Sequence, residues 1–188
     1  MPKDFGAHQR ISSSGLVQAS KTMRAGPSNT LVTTSSRSDR RSERELVVTR
    51  VFDGPARIVF DAWTKPELLM RWWAPKSFGI TFLSCEADVR PGGTYKFVFG
   101  HPQSDEPMAF VGRYIEVEPQ SRLVWTNEEA GDGPVTTVTF EERDGRTHLM
   151  LRDLYPSKEA LDEALASGSV SAYPEQFDEL DALLKTLD

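Results

Sequence analysis

The sequence predicts an α+β domain in which a curved, seven-stranded antiparallel sheet wraps around a long C-terminal helix, with two short helices after the first strand. Three observations lead to this fold class. Between residues 79 and 153, apolar and polar residues alternate in short runs that turn residues separate. The connections between the runs are too short for a parallel crossover, so neighbouring strands are antiparallel. Helical spacing replaces the alternation at residues 56–74 and again after residue 157.

The first strand and the two short helices open the predicted domain. Alternation over residues 45–52 predicts the strand, and Asp53 is predicted to cap the helix that follows. Thr64 and Pro66 are typical of the start of the second helix, which Pro75 ends. The apolar positions at helical spacing are Ile58, Val59, Ala62 and Trp63 in the first helix and Leu69, Trp72 and Trp73 in the second.

Six further runs predict an antiparallel meander. They span residues 79–88, 94–99, 108–118, 122–127, 135–143 and 147–153. Pro91-Gly92-Gly93 joins two of them and is typical of a hairpin turn that requires positive φ, not of a phosphate-binding loop. Which face of the sheet is concave stays open, because both faces carry apolar residues and a shift of one residue would exchange them.

The C-terminal part returns to helical spacing. Ser157 is predicted to cap one helix, Gly168 to break it and Pro174 to open the last one. The last helix carries an apolar stripe that we expect to pack on the sheet. Its members are Phe177, Leu180, Leu184 and Leu187.

The first 42 residues differ from the rest in charge and composition. They carry a net charge of +5, whereas residues 43–188 carry −11. They are rich in serine and threonine and contain one aromatic residue, Phe5, so they lack the apolar surface for a core. We therefore predict a disordered basic tail over residues 1–42 and a folded domain over residues 43–188. A functional basic arm, an organelle-targeting peptide and a start codon assigned too early are the alternatives.

Composition also limits the partners and the compartment. The net charge of −6 argues against nucleic-acid binding, which a basic surface dominates. The longest apolar runs fall short of a membrane span, so no membrane partner is expected. A single cysteine, Cys85, allows no internal disulfide and indicates a reducing compartment. These features together predict a cytoplasmic protein.

Five motifs in a fixed order resemble one protein family. They are TRVFDGP at 49–55, FDAWT at 60–64, RWWAPK at 71–76, DVRPGG at 88–93, and GRY with VEP at 112–119. The chain from residue 45 to its end is similar to the activator of heat shock protein 90 ATPase homologue family of the START-like, or SRPBCC, superfamily. This resemblance implies the helix-grip fold. It also covers chaperone co-activators, small-molecule carriers and polyketide cyclases, so it specifies the fold far better than the function.

Two departures from the family pattern bear on function. Many members carry a Gly-Trp pair before the last helix, whereas this chain reads GSVSAYP at 168–174. The eukaryotic co-activators have a separate N-terminal domain that contacts the chaperone, and residues 1–42 lack the composition for one. The chaperone role is therefore weakened.

Catalytic and metal-binding patterns are absent from the sequence. His8, His101 and His148 stand apart from any Ser, Cys, Asp or Glu at a diagnostic spacing, which argues against a triad or a metal site. Cys85 has no flanking base and is interpreted as an unreactive thiol. No catalytic residue, metal ligand or cofactor is predicted.

The aromatic residues carry the functional hypothesis. A curved sheet is not filled completely by its helix, and the remaining space can hold an apolar small molecule. The predicted cavity residues are Trp63, Trp72, Trp73, Tyr95, Phe97, Phe99, Phe110, Tyr114 and Tyr173. We predict binding of an apolar or aromatic small molecule, with Trp72 and Trp73 at the mouth. A cyclase- or hydrolase-type enzyme and a chaperone-contacting interaction module are the alternatives, and a homodimer is compatible with either.

Overall fold

One antiparallel sheet of eight strands runs through residues 35–128 and 133–187, the part of the chain that this computed structural model describes. The strands are β1 (Arg37–Arg40), β2 (Glu45–Asp53), β3 (Thr81–Ala87), β4 (Thr94–His101), β5 (Ser104–Glu118), β6 (Arg122–Asn127), β7 (Val135–Arg143) and β8 (Arg146–Leu154). Their order across the sheet is β1-β2-β8-β7-β6-β5-β4-β3. The predicted meander is therefore confirmed as β3 to β8, and β2 pairs with its last strand.

Four helices accompany the sheet in the described ranges. They are α1 (Ala56–Thr64), α2 (Pro66–Leu69), α3 (Lys158–Ser167) and α4 (Tyr173–Leu184), with short 3₁₀ turns at Lys76–Phe78 and Ser169–Ala172. This arrangement is the helix-grip fold, as predicted. In this same part of the chain, no helix has the length and apolar character that crossing a membrane requires.

The sheet has eight strands, whereas the sequence predicts seven. The additional strand is β1, which lies inside the segment that composition assigns to the tail. All four of its residues are exposed, so their side chains leave no alternating pattern. Backbone pairing with β2 forms the strand, from Arg37 opposite Thr49 to Arg40 opposite Leu46. The Arg40 guanidinium also bonds Asp162 of α3. The predicted tail before residue 35 lies outside the described residues.

The concave face of the sheet is its buried face, which settles the question that the sequence left open. One row of directly paired residues crosses four strands and is buried throughout: Val48, Leu151, Val138 and Leu123. Phe177 of α4 packs edge-on against Phe52 of β2, with ring centroids 5.6 Å apart. Phe177, Leu180 and Leu184 are buried, so the predicted stripe of the last helix is confirmed for these three residues.

Two predicted helix caps are wrong and one is confirmed. Asp53 is the last residue of β2, and the backbone N–H of Ala56 donates instead to the Glu142 carboxylate of β7, at 2.9 Å. Thr64 turns its hydroxyl back to the Phe60 carbonyl and does not cap α2. Ser157 accepts a hydrogen bond from the Ala160 N–H and so caps α3.

Candidate functional site

A small apolar cavity lies between the two short helices and strands β4, β5 and β6. Its walls are Trp63, Leu69, Trp73, Tyr95, Phe97, Tyr114, Leu123 and Trp125. The free space is about 20 Å³. This is room for about one water molecule. None of these eight side chains is charged, so the cavity offers apolar contact and a few hydroxyl or indole groups.

Strand parity explains how the sheet contributes to this cavity. Tyr95 and Phe97 are two residues apart on β4 and therefore face the same side. Tyr114 of β5 pairs directly with Trp125 of β6, which places both rings on that same concave side. The rings of Tyr95 and Phe97 are tilted by 30° to each other, with centroids 4.7 Å apart. The sheet side of the cavity is thus mostly aromatic, with Leu123 as its aliphatic residue.

Five of the nine predicted cavity residues lie in its walls. They are Trp63, Trp73, Tyr95, Phe97 and Tyr114. Whether any of them contacts a ligand stays a prediction.

The other four predicted cavity residues lie elsewhere. Trp72 is 1% exposed, packs behind Trp63 and Trp73, and donates its indole N–H to the Ala62 carbonyl, so it belongs to the core and not to the mouth. Phe99 is buried against Phe82 of β3. Phe110 shares this sheet face and packs edge-on against Phe99, but it is 41% exposed and is not one of the wall residues.

Tyr173 also lies apart from the cavity, at the start of α4. Its hydroxyl donates to Asp153 of β8 at 2.8 Å, and its ring packs against Phe177. Tyr173 is therefore a hydrogen-bond donor to the buried carboxyl group of Asp153 and not part of the cavity wall.

Three wall residues were missed by the sequence interpretation, namely Leu69, Leu123 and Trp125. Leu123 and Trp125 are two residues apart on β6, so the sequence already predicts that they share a face of the sheet. The sequence does not predict the register between β5 and β6, which places Trp125 opposite Tyr114.

The polar groups of the cavity differ in how they are satisfied. The Tyr95 hydroxyl lies within hydrogen-bond distance of the Thr126 carbonyl and the Asn127 Oδ1 atom, at 3.0 and 2.7 Å. Burial raises the pKa of Tyr114 far above its usual range, so its hydroxyl stays protonated. The Nε1 atom of Trp63 is buried and has no hydrogen-bond partner within the described ranges.

Helix α4 holds the segment that follows Trp73. Gln176 donates its amide to the Trp73 carbonyl, and Glu175 accepts hydrogen bonds from both the backbone N–H and the hydroxyl of Ser77. The Ser77 hydroxyl is the main reason why the pKa of Glu175 is lowered. Glu179 pairs with the Lys76 ammonium at 3.2 Å. One wall of the cavity is thus held by side-chain contacts near solvent, and not by the packed core alone.

A buried carboxyl group lies on the concave face, outside the cavity walls. Asp153 is 3% exposed and accepts hydrogen bonds from the hydroxyls of Thr136 and Tyr173, at 2.6 and 2.8 Å. Burial raises the pKa of Asp153, and the two hydrogen bonds offset only part of that effect. Burial of the Tyr155 hydroxyl itself, followed by the charge of Asp153, raises the pKa of Tyr155 to about 12.

The remaining titratable candidates show no catalytic arrangement in the described part of the chain. Cys85 lies half-buried on β3, and burial followed by the charges of Glu67 and Glu86 raises its pKa to about 11. This thiol is therefore protonated near neutral pH and a poor nucleophile. Among residues 35–128 and 133–187, no three His, Cys, Asp or Glu side chains are grouped as metal ligands.

The chain is similar to known proteins in both sequence and structure. A family model described as Activator of Hsp90 ATPase homolog 1-like protein matches residues 53–185. Among solved structures, a protein from Rhodobacter sphaeroides is 25% identical with a TM-score of 0.74, covering 81% of this chain and 99% of that one. A protein from Nitrosomonas europaea is 23% identical with a TM-score of 0.72, covering 78% and 97%. An AHSA1-like protein from Aeromonas hydrophila is 18% identical with a TM-score of 0.57, covering 73% and 94%. No curated protein sequence matches this chain.

Proposed function

This chain belongs to the Activator of Hsp90 ATPase homolog 1-like family, and on that basis we propose that it binds an apolar or aromatic small molecule in the cavity between α1, α2 and the sheet. The START-like fold of the family is one of ligand-binding domains. The observation that carries the proposal is the wall of eight uncharged residues, six of them aromatic. Small-molecule sites have this character, with apolar walls and a few polar groups.

Binding requires the cavity to widen. Its free space of about 20 Å³ admits one water molecule. Pockets for drug-sized ligands measure about 300–1,000 Å³. Trp73 is the wall residue best placed to move, because it is only partly buried. The segment after it is held to α4 by polar contacts of Glu175, Gln176 and Glu179, and water can replace such contacts more easily than it can replace core packing. Outward movement of this segment would open the cavity without disturbing the sheet.

The geometry favours binding over catalysis. An enzyme would need an acid or base that reaches the bound molecule. The most deeply buried carboxyl group of the described residues belongs to Asp153, which is not a wall residue and is already hydrogen-bonded to Thr136 and Tyr173. The thiol of Cys85 is protonated near neutral pH. Chaperone contact, a homodimer and a cytoplasmic location stay predictions.

Native mass spectrometry of freshly purified protein tests the proposal directly, and we expect a small molecule to co-purify. Titration with flat aromatic compounds should shift the tryptophan fluorescence, with dissociation constants on the order of micromolar. Trp73→Ala should weaken binding by about 1–3 kcal/mol, because it removes one large apolar contact. Phe110→Ala is the matched control, since this exposed ring lies outside the cavity and its loss should leave binding unchanged. The proposal fails if a broad screen yields neither a co-purified mass nor a fluorescence shift.

A further inference from the structure

The cavity wall contains a buried hydrogen-bond donor that no acceptor satisfies. Trp63 is 3% exposed, and its Nε1 atom has no partner among residues 35–128 and 133–187. An indole N–H can donate but cannot accept. An unpaired buried donor is unfavourable, so an acceptor that reaches it gains a hydrogen bond without displacing another.

The surroundings of Trp63 explain why the donor stays unpaired. Its ring contacts five aromatic rings, at centroid distances from 4.8 Å for Trp72 to 6.3 Å for Phe177. Aromatic faces are weaker acceptors than carbonyl oxygens. The neighbouring indole of Trp72, by contrast, donates to the Ala62 carbonyl at 2.9 Å. The cluster therefore provides an oxygen acceptor for the indole of Trp72 but none for that of Trp63 within the described residues.

The cavity also restricts the charge of a ligand. None of its wall residues carries a charge, and the hydroxyl of Tyr114 stays protonated because burial raises its pKa. A charged group placed there would lose its hydration without gaining an ion pair. A neutral acceptor, in contrast, could bond to an indole or hydroxyl donor.

We infer that the ligand is a neutral, planar, mostly apolar molecule that carries a hydrogen-bond acceptor, such as a carbonyl oxygen, and that the Trp63 indole N–H recognises this acceptor. The inference rests on the proposed function, because it assigns the chemistry of the molecule that the cavity takes. A pure hydrocarbon would leave the indole N–H unpaired, and an anion would find no positive charge in the cavity walls.

A matched pair of probes tests the inference on the unmodified protein. 1-Indanone and indane share size and shape, and they differ in a carbonyl group that replaces a methylene group. We expect 1-indanone to bind about fivefold more tightly, the ratio that one net hydrogen bond of ordinary strength provides. Dissociation constants are measured by ligand-detected NMR, since a ketone can quench tryptophan fluorescence by itself.

Trp63→Phe then removes the donor and keeps an aromatic ring in the wall. We expect the preference for 1-indanone to be lost or reversed in this variant, because its carbonyl would then be buried without a donor, while indane binding changes little. If indane binds as well as 1-indanone, or if Trp63→Phe keeps the preference, the inference is wrong but the proposed function stands. If neither probe binds, the proposed function fails and the inference with it. If the variant does not fold, the wild-type ratio still tests whether the ligand needs an acceptor, and indane binding as tightly as 1-indanone overturns the inference.

Discussion

Asp153 shows at the residue scale how burial and hydrogen bonding oppose each other. Its carboxyl group is buried on the concave face, where the charged form loses hydration. The hydroxyls of Thr136 and Tyr173 each donate a hydrogen bond to the Asp153 carboxylate, and these bonds favour the charged form. The net effect is a raised pKa, so folding favours the protonated acid.

This balance predicts that the effect of Asp153→Asn on the free energy of unfolding depends on pH. A carboxyl group whose pKa is raised by folding adds stability below its unfolded pKa, and that stability is lost as the pH rises through the folded pKa. Asparagine stays neutral, and it can accept from one hydroxyl and donate to the other. The free energy of unfolding of Asp153→Asn should therefore rise relative to wild type between about pH 4 and pH 7.5. Urea denaturation at both pH values measures this difference.

Asp105→Asn is the matched control for this experiment, because the same chemical change occurs at an exposed position. An equal trend in both variants would mean that the pH effect does not originate in the buried carboxyl group.

Helix α4 connects two parts of the molecule at the scale of an element. One side packs Phe177, Leu180 and Leu184 into the sheet. Another side holds the segment after Trp73 through Glu175, Gln176 and Glu179. The helical stripe was predictable from its spacing, but these polar contacts were not, because no local pattern links residues about a hundred positions apart.

Truncation of the buried stripe should destabilise the domain. We expect Phe177→Ala and Leu184→Ala each to lower the free energy of unfolding by about 2–5 kcal/mol, since each leaves a cavity under α4. Glu163→Ala on the exposed side of α3 should have almost no effect. Denaturant midpoints compare the three variants. Glu179 is not a neutral control, because it pairs with Lys76. Equal losses in all three variants would contradict the assignment of Phe177 and Leu184 as buried and of Glu163 as exposed.

At the scale of the whole molecule, hydrophobic periodicity predicted the fold class and most of the strand bounds. Residues 122–127 and 135–143 were predicted with the bounds that β6 and β7 have in the structure. β1 was not predictable, because its pairing uses the backbone and its four side chains are all exposed. The cavity was predicted only in part, since Trp72 and Trp73 are adjacent in the chain and only the packing shows that one belongs to the core and the other to the wall.

Two truncations separate the predicted tail from β1. Removal of residues 1–34 should change the free energy of unfolding by less than about 1 kcal/mol, because their composition predicts no contribution to a core. Removal of residues 1–42 should cost more, about 1–3 kcal/mol, because it also deletes the β1 pairing and the Arg40–Asp162 contact. Thermal and urea unfolding of the two shortened proteins measures the difference, and the second prediction fails if both behave alike.

The position of β1 has a consequence for how the protein behaves when it is concentrated. β1 covers the outer edge of β2, whose Leu46, Val47 and Val48 form an apolar run. An uncovered edge of that kind offers free N–H and C=O groups to the same strand of another chain, which is how sheets extend into aggregates. β1 replaces it with a four-residue edge that carries two arginines and an aspartate, and short charged edges repel such pairing. Proteolytic cleavage within β1 would therefore expose the edge of β2 and promote aggregation, even while the cavity remained intact.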